Sequence, residues 1–159
     1  MKQLLTSPYE LEALRKPSVP VTEFGSALDS VIDDMTWVLR TLVSNGMGIS
    51  AVQCNEHLRI GLMIDPGSSY KERIMTTGKL QVICNPQLLD SDGNVIGEEG
   101  CLSFPGQFIK VIRPQLIRIK YQDKEGKEKF SFYHHIWARC ILHEMDHMDG
   151  VLFIDKEVK

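Results

Sequence analysis

The segment His143-Glu144-Met145-Asp146-His147 has the residue types and spacing for metal-assisted hydrolysis. Two histidines four residues apart lie on one face of a helix, where both imidazoles can reach a single cation. The glutamate between them stands beside that cation without having to ligate it. In this H-E-x-x-H pattern it serves as general base toward a metal-bound water. A polar helix face that spells the motif by chance is the plain alternative. Two imidazoles also leave the site incomplete, because a catalytic metal usually has three protein ligands and one position open to water. The other histidines, the cysteines and the carboxylates are the candidates for the third.

Cys101 stands out by its setting, Glu98-Glu99-Gly100-Cys101-Leu102-Ser103-Phe104-Pro105-Gly106. Glycine before and proline after the thiol imply an irregular segment that can present a thiolate and leave a backbone N–H unpaired. Cys54, Cys84 and Cys140 lie in apolar or strand-like runs and read as small buried hydrophobes. His57, His134 and His135 are separated from the motif, and the adjacent pair would point to different sides; all three read as surface or structural residues.

Elements must bring these residues together. Pro17 and Pro20 make residues 1–25 an extended or turn-rich arm, since proline removes a donor and biases its predecessor away from helix. Leu28, Val31, Ile32, Met35, Val38, Leu39 and Leu42 recur at three- and four-residue spacing, which predicts an amphipathic core helix over 27–44. Ser26 with Asp29 resembles a capping box with the shorter acid, and Asn45-Gly46 supplies the stop. Gly46-Met47-Gly48-Ile49-Ser50-Ala51-Val52-Gln53 has two glycines and small residues that permit close backbone approach. It lacks the lysine of a phosphate-binding loop, and a flexible helix-to-strand link is the plain alternative.

Leu58–Ile64 reads as a strand buried on both faces, and 65–79 as a polar mobile loop. Leu80–Cys84 reads as a strand stopped by Asn85-Pro86, and Asp92-Gly93-Asn94 as a turn. Lys110–Ile112 and Leu116–Gln122 read as strands. Asp123–Lys127 is a solvated hairpin tip from which Glu128–Tyr133 pairs back. The helical pattern returns over 136–148, stopped by Gly150, and Val151–Ile154 makes a last short strand.

At 159 residues and 43% hydrophobic, the chain can form one domain over 1–159 with its own core. A net charge of -3 argues against broad nucleic-acid binding. No apolar run approaches the roughly 20 residues of a membrane span. The N-terminus has neither a signal-peptide core nor a transit-peptide composition. Four scattered cysteines without C-x-x-C then read as thiols in a reducing, cytoplasm-like compartment.

Gly46–Gln53, Glu99-Gly100-Cys101-Leu102-Ser103 and His143–His147 occur in that order. Together they resemble the three signature motifs of the peptide deformylase family; the E-G-C-L-S and H-E-x-D-H patterns match completely. The order of elements also fits, so the resemblance spans most of the chain. It implies an α+β fold in which short, mostly antiparallel strands surround a central metal-binding helix. It implies that Cys101, His143 and His147 hold one divalent metal, with water in the fourth position. Glu144 would take the proton of that water and later deliver it to the leaving amine. Gln53 and the backbone N–H of Leu102 would donate to the oxyanion. The substrate would be the N-formylmethionyl end of nascent peptides, lying against Gly46, Met47, Gly48, Gly100, Ile136 and Cys140. Many members are ferrous in the cell, with zinc or nickel substituting.

The chemistry is consistent with that resemblance. A formyl group is a small, unhindered amide, and a bound metal lowers the pKa of water toward about 7 to supply the nucleophile. Gln53 and a backbone N–H suit the charge that develops on the carbonyl oxygen. With Fe(II), oxidation of the iron or of Cys101 would inactivate the site. Glu99 and an Arg113–Asp146 pair are expected to support the imidazoles.

The chain departs from the family pattern at four places. Ile49 and Ser50 replace Leu and Ala of G-x-G-L-A-A-x-Q. Leu142 replaces a Gln before the first metal histidine. Phe108 stands where many bacterial members carry a peptide-binding Arg. The chain ends at Lys159, short of the C-terminal helix that helps bacterial members dock at the ribosome, so the resemblance leaves ribosome association open. Two other readings remain at this point: a zinc peptidase with a distal ligand, which has no need of Cys101, and a non-catalytic protein, either a binding module or a structural metal site that would fill the fourth position with protein.

Overall fold

The computed structural model describes residues 3–41, 46–65, 67 and 78–158. The N-terminal arm holds a short helix α1 (Leu11–Leu14) and, further on, a bridge from Val19 to Leu58. Helix α2 (Ser26–Thr41) follows the apolar stripe and buries Leu28, Met35, Val38 and Leu39. It starts one residue earlier than expected. The Asp29 N–H bonds the Gly25 carbonyl, so Ser26 is already helical and does not cap. The expected end at 42–45 lies outside the described residues, as does most of the loop expected over 65–79.

Five antiparallel strands then form one sheet in the order β1-β2-β3-β4-β5: β1 (Gly48–Ser50), β2 (Ile60–Ile64), β3 (Leu80–Cys101), β4 (Phe104–Gln122) and β5 (Glu128–His134). β1 leads into a 3-10 turn, Ala51–Cys54, that carries Gln53. Two strands run much longer than the local signals suggest. Asn85-Pro86 does not end β3; it forms a bulge between Cys84 and Gln87, with Asn85 at φ 51°. A bulge residue owes no ladder bond, so proline is tolerated there. Asp92-Gly93-Asn94 likewise stays in the strand, with Gly93 at φ 63°. Lys110–Ile112 and Leu116–Gln122 are one strand, because Pro114 falls before β5 begins to pair at Leu116 and so sits at an open edge.

The motif helix α3 (His135–Met148) packs against β1, β2, β4 and β5. Its Ala138, Ile141 and Leu142 join Met63, Ile83, Ile117, Ile119, Tyr121 and Tyr133 in one cluster, while α2 closes a second cluster over Ile49, Ile60 and Leu62. Leu142 is therefore a packing residue, which accounts for an apolar side chain at that position. Gly150, at φ 73°, donates to the His147 carbonyl and ends the helix. Val151–Ile154 is not a strand. The Asp155 carboxylate accepts from the Leu152 N–H at 3.0 Å and folds Phe153–Lys156 into a 3-10 turn. The architecture is α+β with the helix held against the sheet, as expected.

Candidate metal centre and catalytic cleft

Cys101 is the last residue of β3. It pairs with Phe104 across the two-residue turn Leu102-Ser103, so the thiol sits at the tip of the long β3–β4 hairpin. That tip meets the buried face of α3. The Cys101 Sγ lies 3.2 Å from His147 Nε2, and the donor atoms of Cys101, His143 and His147 all lie within 4.8 Å of one another. Among the described residues this is the group close enough to hold one ion. A thiol and two imidazoles suit a divalent transition metal.

Glu99 accepts from or pairs with His143 Nδ1 at 3.1 Å, which fixes the ring and leaves Nε2 to face the cluster. His143 is buried, which opposes its protonation. Hydrogen bonds with Cys101 and Glu99 overcome this and raise it to about 10. Burial and the neighbouring His143 push His147 well down instead. A cation bound at the convergence point of the three donors would take the place of protons there.

Glu99 is the hub behind the site. Burial works against its ionisation, but hydrogen bonds from Arg113 and His143 hold its carboxyl well below the usual carboxylate range. Arg113 binds it through Nε and Nη2 at 2.8 and 2.9 Å and reaches Asp146 on α3 with Nη1. The Arg113–Asp146 pair expected from the sequence is therefore in place. Arg139 adds a second guanidinium to Glu99 at 2.8 Å. Sequence reasoning missed Arg139. It precedes His143 by one four-residue step and so shares the motif face, but its acceptors lie on distant strands.

A cleft of ≈ 620 Å³ opens beside the cluster, within the range of small-ligand sites. Gly46, Met47, Gly48, Gly100, Ile136 and Cys140 all line it, as do Cys101, Leu102, Gln53, His143 and Glu144. Gln53 is buried and rigidly oriented. Its Oε1 accepts the Ser50 N–H at 2.9 Å, so the amide nitrogen points inward, 3.0 Å from Ser103 Oγ and 3.7 Å from Cys101 Sγ. Ser103 lies in the Glu99–Ser103 signature segment, but the sequence assigned it no role. Burial raises the Glu144 carboxyl to about 7, against the opposing pull of His143, and its Oε2 finds no partner among the described residues. Phe108 is 66% exposed at the cleft mouth, with its ring over Gly100. Ser50 is buried and offers its hydroxyl to the Ile60 carbonyl, so the extra oxygen is accommodated. Cys54 and Cys84 lie in the core under α2, where burial pushes both thiols up to about 12.

Fold and site together define a small α+β protein in which a hairpin thiol and two helix imidazoles converge beside a buried carboxyl. The chain belongs to the polypeptide deformylase family, whose model matches residues 1–159. It is 38% identical to the peptide deformylase of Thermoanaerobacter pseudethanolicus over 148 residues, covering 93% of this chain and 85% of that one. It is 40% identical to that of Bartonella tribocorum over 157 residues, covering 98% and 83%. The crystal structure of the Thermotoga maritima peptide deformylase superposes with a TM-score of 0.85 at 31% identity, covering 100% of this chain and 99% of that one.

Proposed function

We propose that this chain hydrolyses the formyl group from the N-terminal methionine of newly made polypeptides and releases formate, with residues 1–159 acting as one catalytic domain. The observation that carries the reading is the convergence of Cys101, His143 and His147 on one point, beside a cleft lined by Cys101, His143, Glu144 and Gln53. The three donors would hold the divalent metal, ferrous in the cell with zinc or nickel as substitutes. When bound, the metal supplies Lewis-acid activation of water and of the formyl carbonyl. Glu144 accepts a proton from the attacking water and passes it to the leaving amine as the C–N bond breaks. The Gln53 Nε2 and the Leu102 N–H donate to the oxygen that gains charge. Met47, Ile136 and Cys140 form the slot for the methionine side chain. The cytoplasmic setting is carried over from the bacterial relatives; among the described residues no helix is long and apolar enough to cross a membrane. The net charge of -3 gives no support to direct nucleic-acid binding.

The test is formate release from a formyl-Met peptide by the metal-loaded chain, with the acetyl-Met peptide as control. Activity on internal peptide bonds without formate release would replace the reading with a peptidase. Two variants probe its parts. Gln53→Leu removes one oxyanion donor and is expected to lower kcat by about 100- to 1,000-fold with metal content unchanged. Gly48→Ala would place a Cβ 2.8 Å from Glu144 Oε1, 2.9 Å from Cys140 Sγ and 3.1 Å from the Leu62 carbonyl. β1 is fixed by its pairing with β2, so the carboxyl must shift. A loss of about 100-fold is the scale for a 1 Å misplacement. Wild-type kinetics for the Ala variant would show that Glu144 tolerates displacement.

A further inference from the structure

The donors of the metal group come from two elements that no covalent link holds in register. Cys101 is on the β3–β4 hairpin, and both histidines are on α3. Two arginines cross this junction in opposite directions. Arg113 leaves β4 and reaches Asp146 on α3. Arg139 leaves α3 and reaches back to the hairpin. Its Nη1 donates to the Val111 carbonyl at 2.9 Å, to the Gly97 carbonyl at 3.3 Å and to Glu99 Oε1 at 2.8 Å, and its Nη2 donates to the Val95 carbonyl at 2.9 Å. Arg139 is only 7% exposed, so these contacts are made out of bulk water, where an unpaired guanidinium would be costly.

The hairpin is shaped to receive it. A Cβ on Gly97 would meet Arg139 Nη2 at 2.8 Å and its Cζ at 2.9 Å, so the guanidinium packs against β3 where Gly97 leaves room for it. Only the planar fork of arginine can reach two carbonyls of β3, one of β4 and a carboxylate together; a lysine ammonium cannot span them. Glu99 is in turn the residue that orients His143.

We propose that Arg139 is a positioning residue for the metal centre: by clamping β3 and β4 onto α3 and sharing Glu99 with His143, it sets the Cys101 thiol at ligating distance from the two imidazoles. The proposal rests on the metal-site reading above and adds to it a residue four positions before the motif.

The test measures metal affinity by competition with a chelator, and the thiolate-to-cobalt charge-transfer absorption of the Co(II)-loaded chain, for wild type, Arg139→Leu and Arg139→Lys. Loss of a partner behind a ligating imidazole costs about 10- to 100-fold in metal affinity. Both variants are expected in that range, with the charge-transfer band weakened or shifted. Should Arg139→Leu fail to fold, Arg139→Lys keeps the charge and alone decides the matter. A folded variant with lowered thermal stability, but with metal affinity within about 2-fold of wild type and an unchanged cobalt spectrum, would make Arg139 an ordinary packing residue and overturn the proposal. These readouts need no turnover, so they are separable from formate release by the wild-type chain, which tests the deformylase reading.

Discussion

Glu144→Gln is expected to lower formate release by about 100- to 10,000-fold while bound metal stays at the wild-type level. That range is the usual worth of a positioned acid–base group. Glutamine keeps the shape and hydrogen-bonding reach of the side chain but cannot take a proton from water at neutral pH. The setting leaves few substitutes. Glu144 is buried, and its Oε2 has no partner among the described residues. Glu99, the other buried carboxylate, is committed to Arg113, Arg139 and His143. The same substitution removes a buried carboxyl that has to be desolvated, so thermal stability should stay level or rise. A rate loss together with unchanged or improved stability is the pattern of a group kept for chemistry. Atomic absorption, a melting curve and the formate assay on one preparation check all three expectations. Retention of more than a tenth of the wild-type rate would place the base elsewhere.

The candidate site was legible in the sequence because the residues that come together there report themselves through local spacing. His143 and His147 share a helix face by periodicity alone, and Cys101 announces itself by the glycine before it and the nearby proline. Local signals failed where pairing partners overrode them. Asn85-Pro86 reads as a stop, yet β4 supplies partners on both sides of the bulge and the strand continues to Cys101. Val151–Ile154 has strand-forming residues, but Asp155 offers a local hydrogen bond to Leu152 that a strand cannot match. Arg139 failed for a different reason. A buried arginine is uncommon, so a lone Arg in a helical pattern is taken for a solvent-facing residue unless its acceptors are known. Those acceptors are carbonyls of β3 and β4, far away in sequence.

That long hairpin explains why Cys101 should be irreplaceable. Cys101→Ala is expected to leave the chain folded but unable to retain stoichiometric metal, with formate release at background. Cys101 is one buried member of an apolar cluster with Leu5, Leu14, Phe104, Leu152 and Phe153, and alanine removes one sulfur while the other members stay, so the fold should survive. What is lost is the single donor the hairpin brings to the two on α3. A two-imidazole remnant is a weak site, because three protein ligands are the working minimum for a catalytic metal. Cys101→Ser should be almost as severe, since a hydroxyl stays protonated near neutral pH and is a harder donor than a thiolate. The clearest reading comes from melting curves with and without added zinc. Metal that binds only the folded state raises the midpoint in proportion to the logarithm of its saturation. The wild-type chain should gain stability on adding zinc, and the two variants should show little or no gain, their metal-free midpoints matching that of the chelated wild type. A Ser variant with full metal content and full rate would show that the third ligand is some other residue. Equal midpoints between variant and wild type only in the presence of chelator would locate the whole effect of Cys101 in the bound metal.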